Sequence, residues 1–135
     1  MLVLWDEAWN TGYVEIDEQH RHLVKIFNDL DKAILTEKAS RLVKSRDKAL
    51  QELMAYADYH FETEEHLMKI HTYPDAPAHW RIHKDFKSRL YQTVRSHEAG
   101  EPILTSQLLS LMLDWLDNHI KVEDRKLGDF LKEHC

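Results

Sequence analysis

His60 and Glu64 are the residues whose types and spacing are most suited to chemistry. Four residues apart, their side chains lie on one face of a helix. Apolar residues continue this face at the alternating steps of three and four that are typical of a bundle core. They are Leu50, Leu53, Ala57 and Leu67. Burying an imidazole and a carboxylate in such a core is costly without partners, and a metal ion is one partner that satisfies both.

The composition favours one all-helical domain over residues 1–135. Hydrophobic residues make up 43% of the chain, which is enough for a core, and three glycines and three prolines are too few for a protein of many tight turns. The net charge of −6 argues against nucleic acid or an anionic membrane surface as a partner. A single cysteine, Cys135, excludes an internal disulfide and is expected to be inert.

The N-terminal residues have no basic region, and no apolar run approaches the roughly 20 residues of a membrane span. These features predict a cytoplasmic protein without membrane contact. The aromatic segment 1–15 shows no helical period and is predicted to be an extended arm. The apolar period predicts an antiparallel up-down-up-down four-helix bundle followed by a short C-terminal helical segment. The predicted helices are 17–37, 41–71, 76–98 and 102–121, and the C-terminal segment is 124–133.

Residues typical of helix ends mark some of the predicted boundaries. Asp17 is predicted to cap the first helix. Ser40 and Ser45 are alternative N-caps for the second, because neither Gly nor Pro marks the first turn. Gly100 and Pro102 predict the turn before the fourth helix. The inner face of the first helix is predicted to hold Ile16, His20, Leu23, Phe27, Leu30 and Ile34.

In an up-down bundle, the start of the first helix, the end of the second, the start of the third and the end of the fourth lie at the same end. The helical register places metal-capable side chains at each of these points. They are His20, His60, Glu64, His79, His83, His119 and Asp124. Each alone is more often a hydrogen-bonded structural residue, but together without a metal they would bury several polar groups lacking adequate partners. Other polar residues are expected to be non-ligands: Glu65, which should be solvated, and His22, His66, His71, His97 and His134.

Five imidazoles and two carboxylates without a thiolate suit iron, copper, nickel or zinc better than magnesium or calcium. The set is too large for one tetrahedral zinc and suits two ions. Two divalent ions about 3.5–4 Å apart repel each other strongly, so anionic bridges are needed. Glu64 and Asp124 are the candidates for these bridges.

Four segments of the chain resemble the hemerythrins, and among them the bacteriohemerythrins. The segments are TGYVEIDEQH (11–20), HFETEEHLM (60–68), YPDAPAHWRIH (73–83) and WLDNHIKVED (115–124). The resemblance implies reversible dioxygen binding at two non-haem iron ions (Fe2+/Fe3+) with a bridging oxo or hydroxo group. It assigns the same seven residues as ligands: His79, His83 and His119 on one iron, His20 and His60 on the other, and Glu64 and Asp124 bridging.

The resemblance also implies that one coordination position stays open for dioxygen on the iron with two histidines. Trp115 and Leu116 match the positions that line the family's oxygen pocket, although ordinary core packing accounts for them equally well. The pocket is expected to be dry and apolar.

These features predict an oxygen-binding monomer that serves oxygen transport, storage or delivery to an oxygen-consuming enzyme. An oxygen or redox sensor is an alternative. It is less favoured, because a chain of 135 residues leaves no room for an output domain. A di-iron oxidase or peroxidase-like enzyme is another. Carboxylate-rich di-iron oxygenases use Glu-x-x-His on two helices, and this site has no such pair. We therefore expect no enzyme, although weak oxidase or peroxidase activity is compatible with the sequence.

Overall fold

The computed structural model describes residues 2–98 and 105–134, which form helices joined by short loops. A short 3-10 helix, Glu7–Trp9, precedes α1 (Val14–Thr36), α2 (Ala39–Ile70), α3 (Ala76–Glu98) and α4 (Thr105–Trp115). The last helix continues through a π-helical stretch, Leu116–Asp124, into α5 (Arg125–His134). No strand occurs in the described residues, and the prediction of an all-α bundle is confirmed.

The helices pack in the order expected of an up-down bundle. Helix α1 lies against α2 and α4, and α2 lies against α3. The predicted inner face of α1 is buried except for Ile34, which is 38% exposed because it lies in the last turn of the helix. In 2–98 and 105–134, no helix is long and apolar enough to cross a membrane.

The N-terminal arm runs along α1 and is fixed to it by hydrogen bonds. The Val3 amide donates to Asn28 Oδ1, and Asn28 Nδ2 donates to the Val3 carbonyl, both at 2.8 Å. Trp5 and Trp9 are partly buried against the main core. The arm is thus extended only in part, since it contains the 3-10 helix and α1 begins before residue 17.

Asp17 does not cap α1, so that prediction is wrong. The N-cap residue is Tyr13, which makes no side-chain cap bond, and Asp17 is buried within the first turn. Its carboxylate accepts from the Thr11 amide at 2.7 Å, the Thr11 hydroxyl at 2.8 Å and the Gly12 amide at 3.2 Å. The carboxylate therefore ties the arm to the helix that carries His20.

Neither Ser40 nor Ser45 caps α2, which begins at Ala39 after Lys38. Ser45 instead donates to Glu37 Oε2 at 2.7 Å across the turn. This bond joins the connection between α1 and α2 to the second turn of α2. The predicted turn signals Gly100 and Pro102, and Cys135, lie outside the described residues.

Candidate metal centre

All seven predicted donor residues lie in one layer near the same end of the bundle, and each is at most 2% exposed. His20 is in α1, His60 and Glu64 are in α2, His79 and His83 are in α3, and His119 and Asp124 are in the π-helical stretch. The helix starts and ends therefore coincide as the up-down order requires.

The π-helical stretch gives His119 and Asp124 a common face. In an α-helix, residues five apart are separated by about 140° around the axis, so they point in different directions. In a π-helix, backbone hydrogen bonds join residues five apart, so the side chains of such a pair lie on the same side of the helix. The widened stretch spans Leu116–Asp124, and both side chains are buried in the centre. The sequence predicts that the fourth helix ends at residue 121, whereas the helix continues through this stretch.

The donor atoms fall into two overlapping groups, in each of which they lie within 4.8 Å of one another. We call His79, His83 and His119 the three-histidine half, and His20 and His60 the two-histidine half. Glu64 and Asp124 belong to both groups. Two carboxylates are thus shared between two sets of imidazoles.

Asp124 lies between the two halves, with one oxygen toward each. Its Oδ1 is 2.8 Å from His119 Nε2 and 3.1 Å from His79 Nε2. Its Oδ2 is 2.6 Å from His20 Nε2 and 3.2 Å from His60 Nε2. A carboxylate so placed could bridge two ions.

Glu64 also reaches both halves, through one oxygen. Its Oε1 lies 3.3 Å from His60 Nε2, and 3.0 and 3.1 Å from the Nε2 atoms of His83 and His79. Its Oε2 is buried and has no hydrogen-bond partner in the described part of the chain. An unpartnered carboxylate oxygen in a fully buried site is costly, and a cation would remove that cost.

The distances between the imidazole nitrogens are those expected of two ligands bound to one metal ion. The Nε2 atoms of His20 and His60 are 3.3 Å apart, and those of His83 and His119 are 3.2 Å apart. Two nitrogens each about 2.0–2.1 Å from one ion, at a right angle, lie about 3 Å apart. The residues present therefore fit two bound metal ions, with nitrogen and oxygen donors that suit iron.

Two residues outside the donor set orient imidazoles from behind. His60 Nδ1–H donates to Gln19 Oε1 at 2.7 Å, and Gln19 Nε2 donates to Thr63 Oγ1 at 3.1 Å. His83 Nδ1–H donates to Glu65 Oε2 at 3.3 Å. These bonds leave the Nε2 lone pairs facing the centre.

Gln19 was not predicted from the sequence, and the expectation that Glu65 is solvated is wrong in part, because that side chain is only 35% exposed and contacts His83. No sequence pattern predicts such side-chain hydrogen bonds between helices.

Aromatic rings cover three of the imidazoles. Trp115 stacks on His119 with ring centroids 3.8 Å apart. Phe61 stacks on His83 at 4.1 Å, and Tyr56 on His60 at 5.1 Å. All three rings are buried in the main apolar cluster, which also contains Leu116 at 4% exposure. These residues form an apolar wall around the centre.

The buried charges stabilise one another. Burial raises the pKa of Asp124, but His119, His20 and His60 outweigh it and hold that pKa well below its usual range. Burial and the neighbouring Asp124 likewise raise the pKa of Glu64, but its histidine partners bring it well below the usual value.

The pKa values of the buried histidines are shifted in opposite directions. Burial favours neutral imidazoles, but Glu64 and Asp124 prevail and raise the pKa of His60 to about 9 and that of His79 to about 10. For His20 burial prevails and lowers the pKa. In the metal-free cluster, protons thus supply positive charge where cations would bind.

The other histidines that the structure describes join neither donor group. His22 and His66 are exposed. His71 is the C-cap residue of α2, beyond the centre. His134 is exposed and stacks on Phe130 with centroids 4.0 Å apart. The side chain of His97 lies outside the described part.

Comparison with known proteins gives a family match and several relatives. A family model described as the hemerythrin HHE cation binding domain matches residues 11–131. A bacteriohemerythrin of Stenotrophomonas maltophilia is 32% identical over 133 residues, covering 98% of this chain and 84% of the relative. A bacteriohemerythrin of Pseudomonas aeruginosa is 32% identical over 130 residues, covering 96% and 82%. A myohemerythrin of Theromyzon tessulatum is 32% identical over 123 residues, covering 90% and 88%.

Proposed function

Because the chain belongs to the hemerythrin family, we propose that it binds dioxygen reversibly at a non-haem di-iron centre. The observation that carries the proposal is the pair of overlapping donor groups that share Glu64 and Asp124. Two shared carboxylates in a buried layer are the arrangement that two neighbouring cations need, since anionic oxygens between the ions offset their repulsion.

Each half of the centre would hold one iron. The three-histidine half would hold one ion and the two-histidine half the other, with Glu64 and Asp124 bridging and a bridging oxo or hydroxo group completing the centre. When bound, the two ferrous ions supply the electrons and the coordination position with which dioxygen combines. Because the two-histidine half has one imidazole fewer, we propose it as the half that leaves a position for dioxygen.

The chain's own residues orient the donors and exclude water. Gln19 and Glu65 hold the rings of His60 and His83, so that the Nε2 atoms face inward. Trp115 and Leu116, which are 5% and 4% exposed, would line the oxygen pocket. A dry wall keeps water from the bound ligand and so favours its release as dioxygen.

The donor chemistry favours a binding protein over an oxidase or peroxidase. Hemerythrins bind dioxygen and are not enzymes, and the chain belongs to that family. The centre has five imidazoles and two carboxylates, in contrast to the carboxylate-rich sites of di-iron oxygenases.

For the finer role, we propose transport, storage or delivery of oxygen by a cytoplasmic monomer, with an oxygen-consuming enzyme as recipient. Size-exclusion chromatography of the iron-loaded protein tests the monomer, and cell fractionation tests the compartment.

The proposed function is tested by reconstitution with ferrous iron under argon, followed by cycles of air and argon. We expect two irons per chain and a visible peroxide-to-iron charge-transfer band that appears in air and disappears under argon. The zinc-loaded protein is the control, because zinc has no redox chemistry. One iron per chain, or irreversible bleaching accompanied by substrate turnover, would contradict the proposal.

A further inference from the structure

Tyr56 is a hydroxyl-bearing residue in the otherwise apolar wall of the centre. It is 4% exposed, and its hydroxyl oxygen accepts a hydrogen bond from Trp115 Nε1 at 3.0 Å. Indole N–H only donates, so the proton of the Tyr56 hydroxyl must point to another group. Within residues 2–98 and 105–134, no acceptor for that proton is present. A buried hydroxyl with an unused proton is unfavourable unless a further acceptor binds beside it.

The hydrogen bond from Trp115 to this hydroxyl joins two rings that stack on imidazoles of the centre. The Tyr56 ring lies parallel to the imidazole of His60, with 10° between their planes. The Trp115 ring stacks on His119, with 18° between their planes. One bond therefore joins a ring on the two-histidine half to a ring on the three-histidine half. Its donor and acceptor are both rigid aromatic side chains, which hold the hydroxyl in one place.

We propose that the Tyr56 hydroxyl donates a hydrogen bond to the small ligand bound at the two-histidine half, and so positions it. This inference rests on the proposed function, and the ligand class is a small hydrogen-bond acceptor: dioxygen as reduced on binding, or a triatomic anion such as azide. Trp115 acts through Tyr56, because its N–H occupies one lone pair of the oxygen and turns the proton away from itself. The wall is thus apolar except for one directed donor.

A groove between α1 and α2 could hold a water molecule that competes with the ligand for the Tyr56 proton. The groove has a volume of about 340 Å³ and is lined by Gln19 and Tyr56, both of which contact His60. Tyr59 closes part of it by donating to Glu15 Oε1 at 2.9 Å. A water molecule in this groove could accept the Tyr56 proton instead of a ligand, and the experiment has to separate the two acceptors.

The experiment compares Tyr56→Phe with wild type in the iron-loaded, oxidised protein, using azide as the ligand. Tyr91→Phe is the matched control, because Tyr91 is exposed and donates to Asp58 on the protein surface. We expect the azide dissociation constant to rise roughly tenfold in Tyr56→Phe, as befits one lost hydrogen bond, and to stay unchanged in Tyr91→Phe. The infrared azide band should shift between H2O and D2O in wild type and Tyr91→Phe, but not in Tyr56→Phe.

A band that responds to D2O equally with and without the hydroxyl would overturn the inference and assign the Tyr56 proton to water. Nuclear magnetic resonance of the metal-free protein gives an independent readout, since the Trp115 indole proton should move upfield in Tyr56→Phe. An unmoved indole signal would contradict the anchoring role of Trp115.

If Tyr56→Phe loses stability through the orphaned indole N–H, the double variant Tyr56→Phe with Trp115→Phe removes both polar groups. It should show the same loss of the isotope response. The iron content distinguishes failure of the proposed function from failure of the role assigned to Tyr56. Wild type without two irons contradicts the proposed function, and the inference with it. Full loading without an effect of Tyr56→Phe contradicts only the inference.

Discussion

The two halves of the centre share their carboxylates but differ in what stands behind their imidazoles. In the two-histidine half, the neutral amide of Gln19 holds the ring of His60, and the hydroxyl-bearing ring of Tyr56 covers it. In the three-histidine half, the carboxylate of Glu65 holds the ring of His83, and the hydrocarbon ring of Phe61 covers it.

The number of imidazoles and the residues that surround them thus differ together from one half to the other. The half with more imidazoles has a carboxylate as its support and a hydrocarbon ring as its cover. The half with fewer imidazoles has a neutral support and the polar group with an unused proton. The position proposed for dioxygen and the hydroxyl of Tyr56 thus belong to the same half, and the variants below test whether the halves respond separately.

Glu64→Ala removes a carboxylate that both halves share, and we expect the largest effect from it. The variant should lose most of its iron from both halves, because the repulsion between the ions is no longer offset. Iron per chain after desalting measures this. Glu62→Ala is the control, since Glu62 is exposed on the same helix and carries the same charge. Full iron loading in Glu64→Ala would sink the bridging assignment.

The pH dependence of iron loading should report one proton or more from each half. With pKa values of about 9 for His60 and about 10 for His79, both rings are protonated at neutral pH in the metal-free protein. Each must lose its proton to bind metal, so affinity for the iron pair rises with pH. As the pH falls below about 9, the affinity should decrease by about two log units per pH unit, and more steeply where His119, whose pKa is also raised, becomes protonated. Calorimetry under argon in buffers of different ionisation enthalpy measures the protons released. Loading without proton release would contradict this charge state.

The residues behind the imidazoles should affect only their own halves. Gln19→Ala should weaken the iron of the two-histidine half by roughly 10- to 100-fold, because His60 loses the bond that orients it. Glu65→Ala should weaken the iron of the three-histidine half by less, since Glu65 is partly exposed and its bond is longer. Stepwise chelation followed by absorbance measures the two irons. Glu18→Ala, at an exposed position, is the control. Equal weakening of both irons by either variant would show that the halves are not independent.

Leu116→Ala should have the smallest effect, a several-fold faster autoxidation of the oxygenated protein. The cavity left by the side chain would admit water to the pocket. Leu108→Ala is the matched control, because Leu108 is buried in the same apolar cluster two turns earlier. It creates a cavity of similar size away from the centre, so it should destabilise the fold without faster autoxidation. An unchanged rate in Leu116→Ala would remove Leu116 from the pocket.

The register of apolar residues predicts the all-α class and the layer in which the donors meet, although the α-helical period does not bring Asp124 to the same face as His119. The spacing of three and four assigns His60 and Glu64 to the inner face of α2, and short connections force the helix ends together. Helix boundaries were harder to predict, because the relevant bonds run between segments. Asp17 was predicted to cap α1, but its carboxylate instead accepts hydrogen bonds from the backbone amides of Thr11 and Gly12, which precede the helix.

For the donors other than Asp124, residue spacing is thus sufficient to predict which side chains face the centre, because spacing along an α-helix dictates direction. Tertiary structure decided how those side chains are held. The bonds from His60 to Gln19, from His83 to Glu65 and from Trp115 to Tyr56 join residues 41, 18 and 59 positions apart. The widened π-helical turn that aims Asp124 at both halves likewise departs from the α-helical period. Periodicity describes one helix at a time, whereas these contacts exist only once different helices pack against each other.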